Sequence, residues 1–153
     1  MLRESEAKDR ASVIELLASP EVGTYIGGHR PRDQLELDVP EVPGRRPGFF
    51  VVDLEGAMIG TITLDRGETG AAELGYLFLP GTWGRGYAVE ACAAALDWFA
   101  VALPGEPVVL RTQTANDRSM RVAAKLGFIE LERFAAYGAE QWSGVWSGVA
   151  PSG

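Results

Sequence analysis

The first pattern of apolar and polar positions along the chain is helical. Between Glu6 and Ala18 the apolar side chains recur every three or four residues, and Pro20 ends the run. Ser5 stands just before the pattern and is the predicted N-cap. Ser19 followed by Pro20 has the form of a cap with a proline at the first helical position. The pattern therefore predicts an amphipathic helix followed by a second, short helical turn.

Prolines interrupt the pattern after these helices. Between His29 and Gly48, four prolines are spread through charged residues, which makes a long regular element unfavourable. We expect a loop or a short helical piece here, at the rim of a site, where it would contribute to substrate selection.

Runs of β-branched and aromatic residues predict strands in the middle of the chain. Phe49–Asp53 and Ala57–Leu64 form a predicted hairpin, with Gly56 at the turn position that needs positive φ. A turn from Arg66 to Gly70 leads to the next strand, which begins at Ala71.

The second half of the chain alternates helices and strands. The predicted elements are a helix with its apolar face from Ala88 to Leu103, a strand over Val108–Thr114, a helix from its Asn116 cap to Leu126 with Gly127 at its end, and strands over Phe128–Phe134 and Glu140–Val149. One β-α-β crossover between antiparallel hairpins predicts the α+β class, with a mixed and mostly antiparallel sheet.

Length, composition and charge limit the possible functions. The 153 residues, 46% of them apolar, predict one compact domain over residues 1–153. With 14 basic and 21 acidic side chains, the net charge of −7 argues against a nucleic-acid groove and favours small cations or protein amines as partners. The single Cys92 excludes a disulfide framework and a cysteine metal site. Since no apolar signal segment or membrane span is visible, we expect a cytoplasmic protein.

The most informative local motif is a glycine loop between a strand and a helix. Gly84 and Gly86 stand just before the alanine-rich helix, where successive backbone N–H groups and the helix dipole attract one anion. A phosphorylated cofactor is the expected ligand. The alternative is a Rossmann dinucleotide site, but Val89 holds the third glycine position and the acidic Glu106 precedes its strand.

Four segments have the order and spacing of a known family. They are Ala72–Tyr76, Trp83–Ala91, Asn116–Met120 and Ala124–Phe128. These segments resemble the GNAT N-acetyltransferases, and within them the RimJ/RimL-like branch, which acetylates protein N-termini and other amines. The resemblance implies the acyl-CoA N-acyltransferase fold, with a twisted sheet and helices on both faces. It also implies acetyl-CoA as cofactor and a primary amine as acceptor.

The resemblance also implies where the cofactor is bound. The loop and helix start would hold the diphosphate at Trp83, Gly84, Arg85, Gly86, Tyr87 and Ala88. Backbone groups of Leu77, Phe78 and Leu79 would pair with the pantetheine arm, beside Asn116 and Ser119. Trp83 replaces the glutamine or arginine that is usual in the family. Because backbone amides hold most of the diphosphate, we expect the change to weaken binding only modestly.

The transfer itself needs a base for the amine and a donor for the oxyanion. Glu73 is the candidate base, at the place that the resemblance gives to the branch's glutamate; the alternative is an ordinary strand glutamate facing water. The expected oxyanion donor is a backbone N–H near Leu77 or Phe78, freed if Gly75 permits a bulge.

The leaving thiolate needs an acid unless it departs unaided. Many family members have a tyrosine seven residues after the asparagine, but here that position is Ala123. The resemblance offers Ser119 instead. The structural alternative is that Asn116 caps the helix and Ser119 only occupies its third position.

These assignments predict an acetyl-CoA-dependent N-acetyltransferase in which the amine attacks the thioester directly within a ternary complex. One alternative is a non-catalytic acyl-CoA-binding regulatory module, which the absent tyrosine favours. Another is a transferase of a different acyl group, such as succinyl, which requires a basic residue near the acyl tail.

The last predicted strand carries Trp142 and Trp146 on one face. This spacing favours packing in the core or in an interface over contact with a ligand, and the apolar final hairpin is compatible with a homodimer.

Overall fold

Residues 1–66 and 70–147 are described by a computed structural model. Within these ranges the strands are β1 Leu2–Arg3, β2 Phe49–Leu54, β3 Ala57–Arg66, β4 Ala72–Phe78, β5 Pro107–Gln113, β6 Ile129–Ala136 and β7 Ala139–Ser147. The helices are α1 Arg10–Ala18, α2 Pro20–Gly23, α3 Arg32–Asp38, α4 Tyr87–Ala102 and α5 Asp117–Leu126, with 3₁₀ turns at Ala7–Asp9 and Pro80–Thr82. The predicted turn at 67–69 and the predicted strand end at Val149 lie outside the described residues.

The described strands form one sheet in the order β1-β2-β3-β4-β5-β7-β6. Among them only β4 and β5 are parallel neighbours, which confirms the predicted α+β class with a mixed, mostly antiparallel sheet. These two strands pair only at Ala72 with Val108 and at Glu73 with Val109. Beyond Glu73 they diverge and leave a gap within the sheet.

Helices cover both faces of the sheet, as predicted. Cys92 and Leu96 of α4 are buried in the core on one face, and Ile14 of α1 is buried in the core on the other. Because strand side chains alternate, Leu74 of β4 packs in the first core and Leu77 packs against the second. No helix in the described ranges has both the length and the apolar character that crossing a membrane requires.

The start of the first helix differs from the prediction. Ser5 is not the cap; its hydroxyl is buried and has no hydrogen-bond partner among the described residues. Instead, a 3₁₀ turn precedes α1, and the Asp9 carboxylate accepts the Glu6 N–H at 2.8 Å. Arg3 donates two hydrogen bonds of 2.8 Å to the same carboxylate. The cap therefore depends on an arginine from β1, which helical periodicity does not reveal.

The other predicted helix ends are confirmed. The Ser19 hydroxyl accepts the N–H of Val22, and the Asn116 side-chain oxygen accepts the N–H of Ser119, each at 3.2 Å. Gly127 ends α5 in the left-handed conformation, with φ 87°. These caps were predictable because each acts within its own turn of chain.

The proline-rich segment from His29 to Gly48 contains a short helix, as expected, but it does not lie at the rim of the site. The predicted short helical piece is α3, and its Leu35 is fully buried against the α1 side of the sheet. None of the residues from His29 to Gly48 lines the cleft described below. The expectation that this segment forms the rim of the site is therefore wrong.

The two tryptophans of the last strand belong to the core. Trp142 is buried on the α4 side, where its indole N–H donates to Glu130 Oε1 at 2.7 Å. Trp146 packs against the same core. The predicted core packing is confirmed.

Candidate active site

The divergence of β4 and β5 opens a cleft of about 620 Å³. It is bounded by α2 and the following turn, β3, β4, the glycine loop, the start of α4, β5 and α5. The predicted site residues that line it are Leu77, Phe78, Trp83, Gly84, Gly86, Tyr87, Ala88, Asn116 and Ser119. Glu73, Leu79 and Arg85 were also predicted but are not among the lining residues. Two distant stretches of predicted residues, 77–88 and 116–119, thus meet in one cleft.

The glycine loop presents the start of α4 to this cleft. Gly84 and Gly86 have φ angles of 79° and 80°, in the left-handed region where glycine is favoured. A Cβ at either position would meet nothing within 4 Å, so backbone conformation rather than space explains these glycines. The first-turn N–H groups of Tyr87 and Ala88 have no partner within the helix, and both residues line the cleft. This end of α4 suits an anion.

On the side facing the gap, the backbone of β4 has no paired strand beyond Glu73. Leu79 N–H donates to Ile59 O of β3 at 2.9 Å, and antiparallel pairing alternates along a strand. Leu77 therefore directs its backbone groups to β3, whereas Tyr76 and Phe78 direct theirs to the gap. The β3–β4 register is continuous past Gly75, so the predicted bulge is absent. Divergence from β5, rather than a bulge, frees the backbone.

Trp83 makes two contacts that the sequence did not predict. Its indole N–H donates to Phe78 O at 2.9 Å, on the gap side of β4. The Arg118 guanidinium lies over its ring, 3.8 Å from the ring centre. Trp83 therefore links the glycine loop to β4 and to the first turn of α5.

A pair of hydroxyls lies inside the cleft. Tyr76 Oη and Ser119 Oγ are 2.7 Å apart, although 43 positions separate them in the chain. Burial raises the pKa of Tyr76 to about 12, against an opposing effect of the hydrogen bond with Ser119. Tyr76 is therefore protonated at neutral pH. Ala123, where the family tyrosine usually stands, is buried in the core.

Sequence reasoning left two roles open for Tyr76, contact with the cofactor or packing, and did not predict its hydrogen bond with Ser119. One signal was available, since Tyr76 alternates with the buried Leu74 and Phe78 on one face of β4. A phenol at a core-facing position requires a hydrogen-bond partner. That partner comes from α5, and only the folded chain reveals it.

The acidic side chains near the site are arranged differently from the prediction. Glu73 is on the same face of β4 as Gly75 and Leu77, which both line the cleft. It lies two residues before Gly75 and is not itself a lining residue. Glu21 of α2 is the one acidic side chain among the described lining residues. The sequence gave no reason to choose Glu21, because it follows Ser19 and Pro20 as an ordinary first-turn acid.

Basic side chains concentrate at the cleft without partners of opposite charge. Arg111, Arg118, Arg121 and Lys125 line it, and within the described part of the chain none of them forms an ion pair. Basic residues elsewhere do form ion pairs, among them Arg3, Arg10, Arg30, Arg45, Arg46, Arg66 and Arg133. A chain of net charge −7 thus keeps a cationic cleft.

A model of a protein family described as an acetyltransferase (GNAT) domain matches residues 1–129. A GNAT-family acetyltransferase from Bacillus anthracis has a similar structure, with a TM-score of 0.82 at 24% identity, over 96% of this chain and 93% of that one. A spermidine N-acetyltransferase from Vibrio cholerae, solved with CoA and spermine, gives 0.74 at 18% identity over 97% and 95%. An aminoglycoside acetyltransferase solved with coenzyme A gives 0.70 at 17% identity over 96% and 94%.

Proposed function

We propose that this chain, which belongs to the GNAT acetyltransferase family, transfers the acetyl group of acetyl-CoA to a primary amine. One observation carries the proposal: a helix N-terminus, a set of basic side chains without ion pairs and a hydrogen-bonded hydroxyl pair converge where β4 and β5 diverge. Each feature suits a different part of an acyl-CoA. Together they provide phosphate binding, a path for the pantetheine arm and a donor for the leaving sulfur.

The phosphates of acetyl-CoA would bind at the glycine loop. The first-turn N–H groups of α4 favour the diphosphate, and Gly84 and Gly86 allow it to approach closely. Arg118, Arg121 and Lys125 follow one another on α5 at helical spacing and line the same cleft. Their charges would neutralise the phosphates without first breaking an ion pair.

The pantetheine arm would run along the free edge of β4. Tyr76 and Phe78 direct backbone groups to the gap, although Trp83 already binds the Phe78 carbonyl. The Phe78 N–H is the better placed of the two donors first expected, since Leu77 turns its own toward β3. We assign it as the oxyanion donor, with the Tyr76 N–H as its neighbour.

The leaving thiolate would be protonated through the hydroxyl pair. Since the pKa of Tyr76 is raised to about 12, its O–H persists, and we assign it as the donor of the 2.7 Å hydrogen bond with Ser119 Oγ. Ser119 then gives its own proton to the sulfur as the C–S bond breaks and takes the Tyr76 proton in its place, and Tyr76 regains a proton from water. This pair fills the role of the tyrosine that Ala123 replaces.

The amine must lose its proton before or during attack, and two carboxylates are candidates for accepting it. Glu73 remains the proposed base, acting through water because it lies just outside the lined cleft. Glu21 is the alternative because it lines the cleft directly. Glu73→Gln at wild-type rate together with a strongly impaired Glu21→Gln would transfer the role to Glu21.

The direct test measures CoA release from acetyl-CoA with a panel of amines, with product mass confirmed. The proposal expects turnover that falls in Ser119→Ala, while CoA affinity stays within a few-fold. The competing function is a regulatory module that binds acyl-CoA without turnover. Tight CoA binding without product from any amine would favour that module and contradict the transferase.

We also propose that the chain belongs to the RimJ/RimL-like branch. All four segments that suggested it, Ala72–Tyr76, Trp83–Ala91, Asn116–Met120 and Ala124–Phe128, supply residues that line the cleft. Acetylation of peptide N-termini in the amine panel would support this finer assignment.

A further inference from the structure

Arg111 occupies a position in the cleft that phosphate binding does not explain. It lies on β5, two residues beyond Val109, the last β5 residue that pairs with β4. Leu110 packs in the core on the α4 side, so the side chain of Arg111 is on the opposite face of the sheet. Gln113 shares that face, and its side-chain N–H donates to Tyr25 O at 3.2 Å. Arg111 therefore faces the part of the cleft bounded by α2 and the turn after it.

This part of the cleft, which we call the acceptor side, differs from the side formed by α5. Its described lining side chains on α2, the following turn and β3 are Glu21, Val22, Tyr25, Ile26, Thr61 and Thr63. Glu21 and Arg111 are its only charged lining residues among those described. The three other cations of the cleft all come from α5.

The charge of Arg111 has no counterpart in the described protein. Arg111 is exposed, lines the cleft and forms no ion pair within the described ranges. In an acidic chain whose other arginines mostly pair with carboxylates, an unneutralised guanidinium beside the reacting gap suits an anion supplied by a substrate. The planar guanidinium fork matches a carboxylate in bidentate geometry.

We infer that Arg111 binds a carboxylate of one of the two substrates, an inference that rests on the proposed acyl transfer. The carboxylate has two possible sources. It belongs either to the acceptor, as in a free amino acid, or to the acyl group of a dicarboxylic acyl-CoA such as succinyl-CoA. In both cases the reaction is the same amine attack on a thioester, and Arg111 determines which substrate is preferred.

The same charges disfavour a polycationic acceptor. A spermidine or an aminoglycoside carries several positive charges, whereas the acceptor side offers one carboxylate, that of Glu21, and places a cation beside it. The acceptor is thus a monocation or a zwitterion. This distinguishes the chain from the spermidine and aminoglycoside acetyltransferases that share its fold.

The experiment compares wild type, Arg111→Gln, Arg111→Lys and Arg32→Gln over a matrix of substrates. Free amino acids are paired with their amides under acetyl-CoA, and the amides are then tested with succinyl-CoA against acetyl-CoA. Arg32 of α3 is the matched control, because it is exposed, lies outside the cleft and has no ion pair in the described ranges. The readout is kcat and KM for each pair, with CoA affinity measured alongside.

Arg111→Gln is expected to lower kcat/KM by about 10- to 100-fold for the carboxylate-bearing member of one pair, mainly through KM, and by less than about threefold for its partner. Arg111→Lys should fall between Arg111→Gln and wild type. If kcat/KM falls selectively for free amino acids, the carboxylate belongs to the acceptor. If it falls selectively for succinyl-CoA, the carboxylate belongs to the acyl group. If Arg111→Gln lowers kcat/KM equally for both members of every pair, or for neither, the role of Arg111 is overturned while the proposed function stands. Wild-type protein that transfers nothing anywhere overturns the proposed function and the inference with it.

Discussion

Trp83 stands where glutamine or arginine is usual, and its two contacts explain what an aromatic side chain does there. The indole N–H holds Phe78 O, and the ring carries the Arg118 guanidinium. We expected the tryptophan only to remove a side-chain contact with the diphosphate. It also adds these two contacts within the protein. The tryptophan also fixes one of the cations that would meet the phosphates.

The role of Trp83 predicts a graded effect on CoA binding. Trp83→Phe keeps an aromatic face for Arg118 but loses the N–H, whereas Trp83→Leu loses both contacts. Since a hydrogen bond and a cation–π contact are each worth about 1 kcal/mol, we expect affinity losses of roughly fivefold and roughly 30-fold. Calorimetry with CoA measures both, with Trp98→Phe, outside the cleft, as control. Equal affinities for both variants and wild type would contradict this role.

The hydroxyl pair predicts a particular dependence of the rate on pH. Because burial raises the pKa of Tyr76 to about 12, the pair stays protonated through neutral and moderately alkaline pH. The rate should then rise with deprotonation of the amine up to about pH 10 without a descending limb from Tyr76. Tyr76→Phe should lower kcat by about tenfold over this range. Tyr137→Phe, at an almost fully exposed turn residue, is the control.

A descending limb below pH 10 that disappears in Tyr76→Phe would contradict this account. It would mean that the phenol ionises near its usual value and is not buried as described. Ser119→Ala separates the two hydroxyls, since it removes the proposed donor itself and should lower kcat more than Tyr76→Phe.

At the scale of elements, local patterns predicted most of the fold. The spacing of apolar residues indicated α1 and α4. The Ser19 and Asn116 caps, which indicated α2 and α5, act within single turns. What failed depends on contacts between distant residues. Ser5 is not the cap, because Glu6 takes that position and its N–H donates to the Asp9 carboxylate, which Arg3 of β1 orients.

The site was predicted in part for the same reason. The glycine loop and Asn116 are readable because they are turn and cap signals. The Tyr76–Ser119 pair and the cleft position of Arg111 arise only when β4, β5 and α5 come together. The gap replaces the expected bulge at Gly75, since strand pairing is decided by the neighbouring strand and not by one glycine.

Gly75 still has a structural requirement that can be tested. A Cβ at this position would lie 2.7 Å from Thr63 Oγ1 on the neighbouring strand β3. Gly75→Ala is therefore expected to lower the free energy of unfolding by about 1–3 kcal/mol. Adding Thr63→Ala should recover most of the loss, giving a favourable interaction energy in the double-mutant cycle. Urea unfolding provides the measurement.

Gly81→Ala is the matched control, because a Cβ there meets nothing within 4 Å. If Thr63→Ala and Gly75→Ala simply add, close contact across β3 and β4 is not the reason for the glycine.

At the scale of the whole molecule, most arginines outside the cleft form ion pairs, whereas the basic side chains that line the cleft form none within the described residues. One paired cluster joins distant parts of the chain, because Arg3 of β1 binds Asp9 at 2.8 Å and Asp53 of β2 at 2.7 Å. Asp9 is only 2% exposed. The cluster fastens the first strand and the first helical turn to the hairpin.

This cluster predicts a loss of stability in acid. The Arg3 guanidinium holds the pKa of Asp9 below its usual value of 3.8, and does the same to Asp53. Groups with a lowered native pKa stabilise the fold above the unfolded value, and this contribution is lost as pH falls through the native pKa. Unfolding free energy should therefore be steady above about pH 5 and decline below about pH 4.

Asp9→Asn should cost about 3 kcal/mol at neutral pH and flatten that acid decline, because it leaves Arg3 without its buried partner. Asp97→Asn, an exposed change on α4, should alter neither quantity. An Asp9→Asn protein with unchanged stability and unchanged acid sensitivity would show that the cluster does not hold the N-terminus.

The central claim is that the start of α4 and the gap between β4 and β5 receive acetyl-CoA. A crystal structure with bound coenzyme A tests it most directly. We predict the diphosphate within hydrogen-bond distance of the first-turn N–H groups at Tyr87 and Ala88, with the sulfur beside Ser119. Coenzyme A bound elsewhere, with the loop from Gly84 to Gly86 empty, would contradict the account.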